Sequence, residues 1–239
     1  TRELQDALTP QQVLQILKEG HVRFLTGRPL TRDLGRQVRA TAGGQHPLAV
    51  ILSCIDSRTP AELVFDLGLG DIFSVRIAGN VISRKVLASV EYGCAVAGAK
   101  LVLVMGHTRC GAVTAAVNLI SETQTPAEAT GCQHLDYIVR DIQQSTDPVT
   151  CRDAEQLPVA EKQSFVDAVA RRNVSRVVER MREQSQTLDG LIRDERIAII
   201  GAMYDVVTGE ITFLADDGMN HGLPPASGES RRTAGSAPS

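Results

Sequence analysis

Short runs of apolar, often branched residues recur along the chain, and longer stretches of mixed polar and apolar residues separate them. The run from Pro47 to Ser53 lacks polar alternation, which is typical of a strand buried on both faces of a sheet. Further runs of the same character predict four more strands: Asp71–Ile77, Lys100–Gly106, Ile197–Gly201 and Ile211–Leu214.

The stretches between these runs have the composition and spacing of helices. The predicted helices are Ala61–Leu67, Val86–Ala97, Ala112–Glu122, Leu135–Gln144 and Gln163–Gln186. Strands that alternate with helices predict the α/β fold class, with a mainly parallel central sheet flanked by helices.

The two ends of the chain depart from this alternation. Thr9, Pro10 and Gln12 predict a helix start, because Thr caps a helix, Pro suits its first position and Gln completes a capping box. We expect an N-terminal helical arm over residues 1–30, packed either on its own domain or on a neighbouring subunit. An α/β domain would follow over residues 31–218. Residues 219–239 are rich in Pro, Gly and Ser, which predicts a disordered tail.

Composition narrows the class of protein. A net charge of -3, an aromatic content of 3% and the absence of Trp argue against nucleic acid as a partner. Apolar runs such as Leu101–Met105 are too short to span a bilayer. The five cysteines are odd in number and irregularly spaced, so we expect a reduced, cytoplasmic location with some thiols acting as metal ligands.

Candidate metal ligands follow two of the predicted strands. Cys54 comes directly after one strand, and His107 and Cys110 follow another. In open α/β sheets, sites gather where the carboxyl ends of strands meet. A lone His-x-x-Cys pair is weak evidence, because buried cysteine is common as a small apolar residue. Together with Cys54, however, the pair supplies three good zinc ligands, and a tetrahedral ion then keeps one open position.

Asp56 and Arg58 stand beside the first ligand. Arg can hold a carboxylate with two parallel hydrogen bonds, which would orient Asp56 and keep it ionised. A surface ion pair worth less than about 1 kcal/mol is the simpler alternative. Next to a zinc ligand, Asp56 could instead accept a hydrogen bond from metal-bound water, or bind the metal as a fourth ligand.

These motifs together resemble the pattern of the β-class carbonic anhydrases. The core of the resemblance is C-x-D-S-R at Cys54–Arg58 and H-x-x-C-G at His107–Gly111. It extends to other segments of the chain: Gln45–Pro47, Gly70–Asn80, Glu91–Tyr92 and Gly201–Gly209.

The resemblance implies reversible hydration of carbon dioxide to bicarbonate and a proton by a zinc-bound hydroxide. The cofactor would be Zn²⁺, held by Cys54, His107 and Cys110. Asp56 would orient the hydroxide and Arg58 would orient Asp56, whereas Asp56 bound to the zinc would close the site. Two thiolates donate more charge than imidazoles do, so we expect activity to rise toward alkaline pH.

The resemblance also implies a narrow, partly apolar substrate pocket. Phe73, Ala78 and Tyr92 would contribute to it, with Tyr92 reaching it from a second subunit. Gln45 and the backbone N–H of Gly111 would hydrogen-bond the substrate oxygen as charge develops. Plain core packing remains the alternative for Phe73 and Tyr92. Relatives form dimers or higher assemblies, so we expect a homodimer or a tetramer.

Two other functions remain open at this stage. A hydrolase of carbon disulfide or carbonyl sulfide would keep the same fold and zinc site. A non-catalytic regulatory domain, fused to a membrane anion transporter and lying on its cytoplasmic side, would keep the fold without the activity.

Overall fold

A five-stranded sheet forms the centre of the protein, as seen in a computed structural model that describes residues 1–120, 124–214 and 221–223. Its strands are β1 (Ala49–Ser53), β2 (Ile72–Arg76), β3 (Leu101–His107), β4 (Ala198–Tyr204) and β5 (Ile211–Phe213). Their order across the sheet is β2-β1-β3-β4-β5. The first four strands pair in parallel and β5 runs antiparallel to β4. The prediction of a mainly parallel sheet flanked by helices is confirmed.

Helices connect and cover these strands. In chain order they are α1 (Arg2–Ala7), α2 (Pro10–Leu25), α3 (Leu34–Thr41), α4 (Ala61–Val64), α5 (Arg84–Glu91), α6 (Gly111–Leu119), α7 (Pro126–Thr130), α8 (Asp136–Gln143), α9 (Pro148–Glu155), α10 (Val159–Gln184) and α11 (Gln186–Arg193). A 3₁₀ turn spans Ala78–Asn80, and a π-helical turn over Tyr92–Val96 continues α5.

Both faces of the sheet are buried, which explains why its strands lack polar alternation. In β1, Val50 and Leu52 face one apolar cluster, which includes residues of α5, α6, α8, α10 and α11. Ala49 and Ile51 face the other, which includes residues of α2 and α4. Every position of β1, β3 and β4 is buried. A sheet covered in this way exposes only its edges and strand ends to a ligand.

The N-terminal arm shares the core of the domain. Thr9 and Gln12 form the predicted capping box at the start of α2. From this helix, Val13, Leu14 and Leu17 pack into the same cluster as β1 and β3. Of the two packings that the sequence leaves open, the structure therefore shows the arm on its own domain.

An ion cluster fastens the segment after α2 to the body of the protein. Asp66 is buried at the end of α4 and accepts hydrogen bonds from Arg23, Arg32 and the backbone N–H of Leu30. A buried carboxylate requires such partners, because its desolvation would otherwise be costly.

Part of the predicted domain and most of the predicted tail lie outside the described residues. Of residues 215–239, only 221–223 are described, and His221 forms an antiparallel bridge with Ile199 of β4. Among the described helices, none is both long enough and apolar enough to cross a membrane.

The close approach of α2 to α4 generates a stability prediction. A Cβ added at Gly20 would lie 1.9 Å from the carbonyl oxygen of Phe65. We therefore expect Gly20→Ala to lower the free energy of unfolding by about 1–3 kcal/mol in urea denaturation, because the backbone must move apart.

Gly190→Ala is the matched control. Gly190 also lies in a helix, α11, but a Cβ there would meet nothing within 4 Å. This substitution should raise the free energy of unfolding by about 0.5–1 kcal/mol, because Ala loses less backbone entropy than Gly on folding. Equal effects of the two substitutions would contradict the packing of α2 described above.

Candidate metal centre

Parallel pairing of β1 and β3 brings the three predicted ligands together. Ser53 pairs with Met105, so Cys54 and His107 both lie at the carboxyl ends of these two parallel strands. The ligand atoms of Cys54, His107 and Cys110 all lie within 4.8 Å of one another, and all three residues are buried. The two Sγ atoms are 4.0 Å apart.

A tight turn carries the second and third ligands. β3 ends at His107, and α6 begins at Gly111 with Cys110 as its N-cap residue. Between them, Arg109 adopts a left-handed conformation with φ of 56°. The turn is tied to β4, because the N–H of Thr108 donates to the carbonyl of Tyr204. The side chains of His107 and Cys110 therefore point to one place.

His107 has a defined tautomer. Its Nδ1 lies 2.9 Å from the carbonyl oxygen of Thr108. Because a carbonyl only accepts, Nδ1 carries the proton in the neutral ring, and Nε2 is then left with a lone pair. Nε2 is buried, and within the described part of the chain it has no hydrogen-bond partner. A buried acceptor without a partner is costly, and a metal ion in the cluster would satisfy it.

The two thiols share a negative charge. A hydrogen bond from Cys110 lowers the pKa of Cys54 to about 4, despite burial, and the N–H of Gly79 lies 3.4 Å from the Cys54 Sγ. The bond to Cys54 and burial together raise the pKa of Cys110. Burial alone would lower the pKa of His107, but hydrogen bonding to Cys54 and the charge on that thiolate outweigh burial and raise the pKa. A divalent cation would relieve the repulsion that keeps the second thiol protonated.

These distances fit zinc. Sulfur ligands about 2.3 Å from a tetrahedral ion lie about 3.8 Å from each other, close to the spacing of Cys54 and Cys110. Two thiolates and one imidazole form a common zinc donor set. The residues present therefore fit the ion.

Asp56 is held by Arg58 at the rim of the cluster. Its Oδ1 accepts from the backbone N–H and the Nε of Arg58, and its Oδ2 accepts from Nη2 at 2.8 Å. The hydrogen bond from the Arg58 side chain lowers the pKa of Asp56 to about 2. Oδ2 lies 4.0 Å from Nε2 of His107. The carboxylate is thus ionised, faces the cluster, and is engaged by Arg58.

Sequence reasoning did not assign the residues that brace Cys54 and its neighbours. Arg76 donates to the carbonyl oxygens of Cys54 and Asp56. Asn173, fully buried on α10, donates to the carbonyl of Gly79, the residue whose N–H faces the Cys54 sulfur. For Arg76 and Gly79, the match of Gly70–Asn80 to the family pattern was an available signal. Asn173 had none, because a side chain on a distant helix leaves no local motif.

Phe73 and Tyr92 lie together in a cleft beside β2, the edge strand. Their rings are 6.4 Å apart. The cleft has a volume of about 600 Å³, and Arg76 also lines it. Since Arg76 also binds the Cys54 carbonyl, this side chain connects the lining of the cleft to the backbone of a predicted ligand.

The remaining predicted residues divide into two groups. Ala78 immediately precedes Gly79, and Gly111 opens α6 next to Cys110, with nothing within 4 Å of an added Cβ. Both are therefore chain neighbours of residues that form or contact the cluster. Gln45 is not, because it precedes β1 whereas Cys54 follows that strand. Within one chain, the structure separates Gln45 from the ligands by the length of β1.

Comparison with known proteins gives the same family throughout. Residues 49–211 match the family model described as carbonic anhydrase. Carbonic anhydrase 2 of Mycobacterium tuberculosis is 37% identical over 201 residues, which cover 84% of this chain and 90% of the relative. A carbonic anhydrase of Mycolicibacterium smegmatis is 34% identical over 205 residues, covering 84% of this chain and 92% of that protein.

Solved structures share the fold. A structure from a study of two tetrameric β-carbonic anhydrases of Sordaria macrospora matches with a TM-score of 0.62 at 22% identity, covering 75% of this chain and 90% of that one. A β-carbonic anhydrase of Aspergillus fumigatus matches with a TM-score of 0.63 at 24% identity, covering 85% and 89%. The mycobacterial relatives are matched over nearly their whole length, so they give no support to the transporter fusion that the sequence left open as an alternative.

The geometry of the cluster generates a metal-binding prediction. Purified protein should contain about one zinc ion per chain by elemental analysis, since three ligands converge on one position. Cys54→Ser and Cys110→Ser should each lose most of that zinc, because a neutral hydroxyl replaces a thiolate.

Cys132→Ser is the control, since Cys132 is an exposed free thiol outside the cluster. It should keep the full zinc content. Loss of zinc from this control, or full retention in Cys54→Ser, would contradict the assigned ligand set.

Proposed function

This chain belongs to the β-class carbonic anhydrase family, and we propose that it catalyses the reversible hydration of carbon dioxide to bicarbonate and a proton. One observation carries the proposal. Three buried zinc-type ligand atoms converge beside a carboxylate that Arg58 holds by bidentate contact. A purely structural zinc site would not need that oriented carboxylate at its open side.

Cys54, Cys110 and the Nε2 of His107 would hold the zinc. The ion would supply Lewis acidity that lowers the pKa of a water molecule to near neutrality. The three metal-binding side chains follow buried strands or lie in the turn tied to β4, so they hold their positions before the metal binds.

Asp56 would orient the attacking oxygen. An ionised carboxylate only accepts hydrogen bonds, so Asp56 leaves a lone pair of that oxygen directed at the carbon of the substrate. Arg58 keeps Asp56 ionised and holds it away from the ligand atoms. Release of Asp56 from Arg58 would let the carboxylate act as the fourth ligand and close the site.

Carbon dioxide is small and apolar, and we assign its pocket to the residues at the open side of the cluster. Ala78 and Gly111 would border that side, and the Gly111 N–H lies in the first turn of α6, where backbone N–H groups lack partners within the helix and could bind developing negative charge. Phe73 and Tyr92 would supply the apolar wall through the adjoining cleft.

Assembly of identical chains would complete this pocket. Tyr92 and Val96, at the two ends of the π-helical turn, are 55% and 65% exposed, and an interface between copies of the chain would cover both. Gln45 cannot reach the cluster of its own chain, so any contact with substrate would be made in another copy. We therefore propose a homodimer or tetramer, as the Sordaria macrospora enzymes are tetrameric.

A reducing compartment such as the cytoplasm suits this site. The Sγ atoms of Cys54 and Cys110 are close enough that an oxidising environment could join them in a disulfide and remove both thiolate ligands.

The alternative functions differ in turnover. A carbon disulfide or carbonyl sulfide hydrolase would process those substrates faster than carbon dioxide, and a regulatory domain would process none of the three.

Substitution of Asp56 tests the proposed mechanism. In stopped-flow hydration of carbon dioxide at about pH 8.5, Asp56→Asn should lower kcat/KM by about 100-fold or more, because the amide no longer orients the nucleophile as an ionised acceptor. Zinc content should stay unchanged, since the three ligands remain.

Asp153→Asn is the matched control, an exposed carboxylate on α9 that should leave the rate unchanged. An unmodified protein that contains zinc but is no faster than buffer would refute the enzyme assignment. Faster turnover of carbonyl sulfide in the same series would favour the hydrolase.

Light scattering tests the assembly. The protein should have at least twice the 25.7 kDa mass of one chain. Val96→Asp should dissociate it, because a charge would be buried at the proposed interface. Tyr137→Asp, at a side chain 78% exposed on α8, should leave the mass unchanged. A monomeric unmodified protein would rule out the proposed pocket completion.

A further inference from the structure

A single peptide group connects His107 to a second helix. This peptide joins Thr108 to Arg109. Its carbonyl oxygen lies 2.9 Å from the Nδ1 of His107, and its N–H donates to the Oδ1 of Asp167 at 2.7 Å. Asp167 lies on α10, 58 residues further along the chain.

The carboxylate of Asp167 is itself held in place. Gln163, one turn earlier on α10, donates from Nε2 to the same Oδ1 at 3.0 Å. The neighbouring residue Thr108 is fixed independently, because its N–H donates to Tyr204 and its Oγ1 accepts from the N–H of Val206. The peptide therefore has little freedom to rotate.

This arrangement polarises the peptide toward His107. A negative charge at the N–H end of a peptide increases the partial negative charge on its carbonyl oxygen. A carbonyl oxygen that accepts more strongly from Nδ1–H favours the Nδ1–H tautomer and makes Nε2 a better electron donor. Carboxylates that bind metal-ligating histidines directly have this effect on ring orientation and basicity.

We propose that Asp167 is a positioning residue for His107, acting through the peptide between Thr108 and Arg109. It fixes the ring so that Nε2 faces the two cysteine sulfurs, and it strengthens that nitrogen as a ligand. The proposal rests on the zinc site described above, but the tautomer of His107 can be measured without any metal.

A simpler role for Asp167 would be to offset strain in the turn. Arg109 has a left-handed backbone, which costs about 1–2 kcal/mol for a residue with a Cβ. Asp167 could stabilise that conformation without any effect on the ring. Arg109→Gly separates the two roles, because Gly adopts this φ without strain and keeps the N–H that Asp167 accepts.

Two measurements on Asp167→Ala test the proposal. Zinc affinity, determined by competition with a chelating dye, should fall about tenfold or more. In ¹⁵N spectra of histidine-labelled, metal-free protein, recorded at a pH above the raised pKa of His107 so that the ring is neutral, His107 should shift from the Nδ1–H form toward a mixture of tautomers. Asp167 borders an open cavity of about 620 Å³, so its truncation should not disturb the core.

Three variants complete the design. Asp167→Asn keeps an acceptor oxygen but removes the negative charge, so it should restore the Nδ1–H tautomer of His107 and only part of the zinc affinity. Arg109→Gly, combined with Asp167→Ala, should not restore the zinc affinity. Glu161→Ala removes an exposed carboxylate from the same helix and should leave both readouts unchanged.

Each contrary result overturns the proposal. Unchanged affinity and unchanged ¹⁵N shifts in Asp167→Ala would remove any role for Asp167 at His107. Recovery of zinc affinity in the Arg109→Gly double variant would reduce Asp167 to a strain-relieving residue, and failure of Asp167→Asn to restore the Nδ1–H tautomer would exclude a hydrogen-bonded relay. Absence of zinc or of hydration activity in the unmodified protein would refute the proposed function, while the tautomer measurement would still decide the role of Asp167.

Discussion

Parallel pairing of β1 with β3 is the constraint on which the rest of this structure depends. Cys54 and His107 are far apart in the chain and meet because both strands end at the same edge of the sheet, with Ser53 opposite Met105. Side chains alternate between faces along a strand, so a slip of one residue would turn every core side chain of β1 to the wrong face. The apolar clusters on both faces thus hold the register, and the register places the proposed ligands.

The same constraint concentrates negative charge in a buried place, and the surrounding structure compensates for it. Arg76 donates hydrogen bonds to the carbonyl groups of Cys54 and Asp56, and the Gly79 N–H faces the Cys54 sulfur. α10 supports both ligand segments, because Asn173 holds the Gly79 loop and Asp167 holds the His107 turn. A buried amide such as Asn173 costs about 1–3 kcal/mol if left unpaired, so these contacts also fix how α10 lies against the sheet. Core packing and site geometry are therefore maintained by the same helix.

Local patterns were sufficient for the elements that depend on nearest neighbours. The capping box at Thr9 formed as predicted, and the strand predicted to end at Gly106 ends at His107. Boundaries that depend on packing were missed. α10 begins at Val159, before the predicted Gln163, and its C-terminal end is set by Ser185, which leaves the helical conformation and caps α11. The short helices α3, α7 and α9 have too few periodic apolar positions to be recognised without the surfaces they cover.

By itself, the sequence determined the fold class, the family motifs, the ligand types and their location at strand ends, because these depend on composition, periodicity and short spacings. Tertiary structure decided how those residues meet. It separated Gln45 from the cluster of its own chain, and it placed Asp56 beside the cluster in a hydrogen bond with Arg58. It also brought Asn173 and Asp167 of α10 to the loops that carry Gly79 and His107. The reason is physical: hydrogen bonds between residues distant in the chain have no local periodicity, and their partners are set only when the helices pack on the sheet.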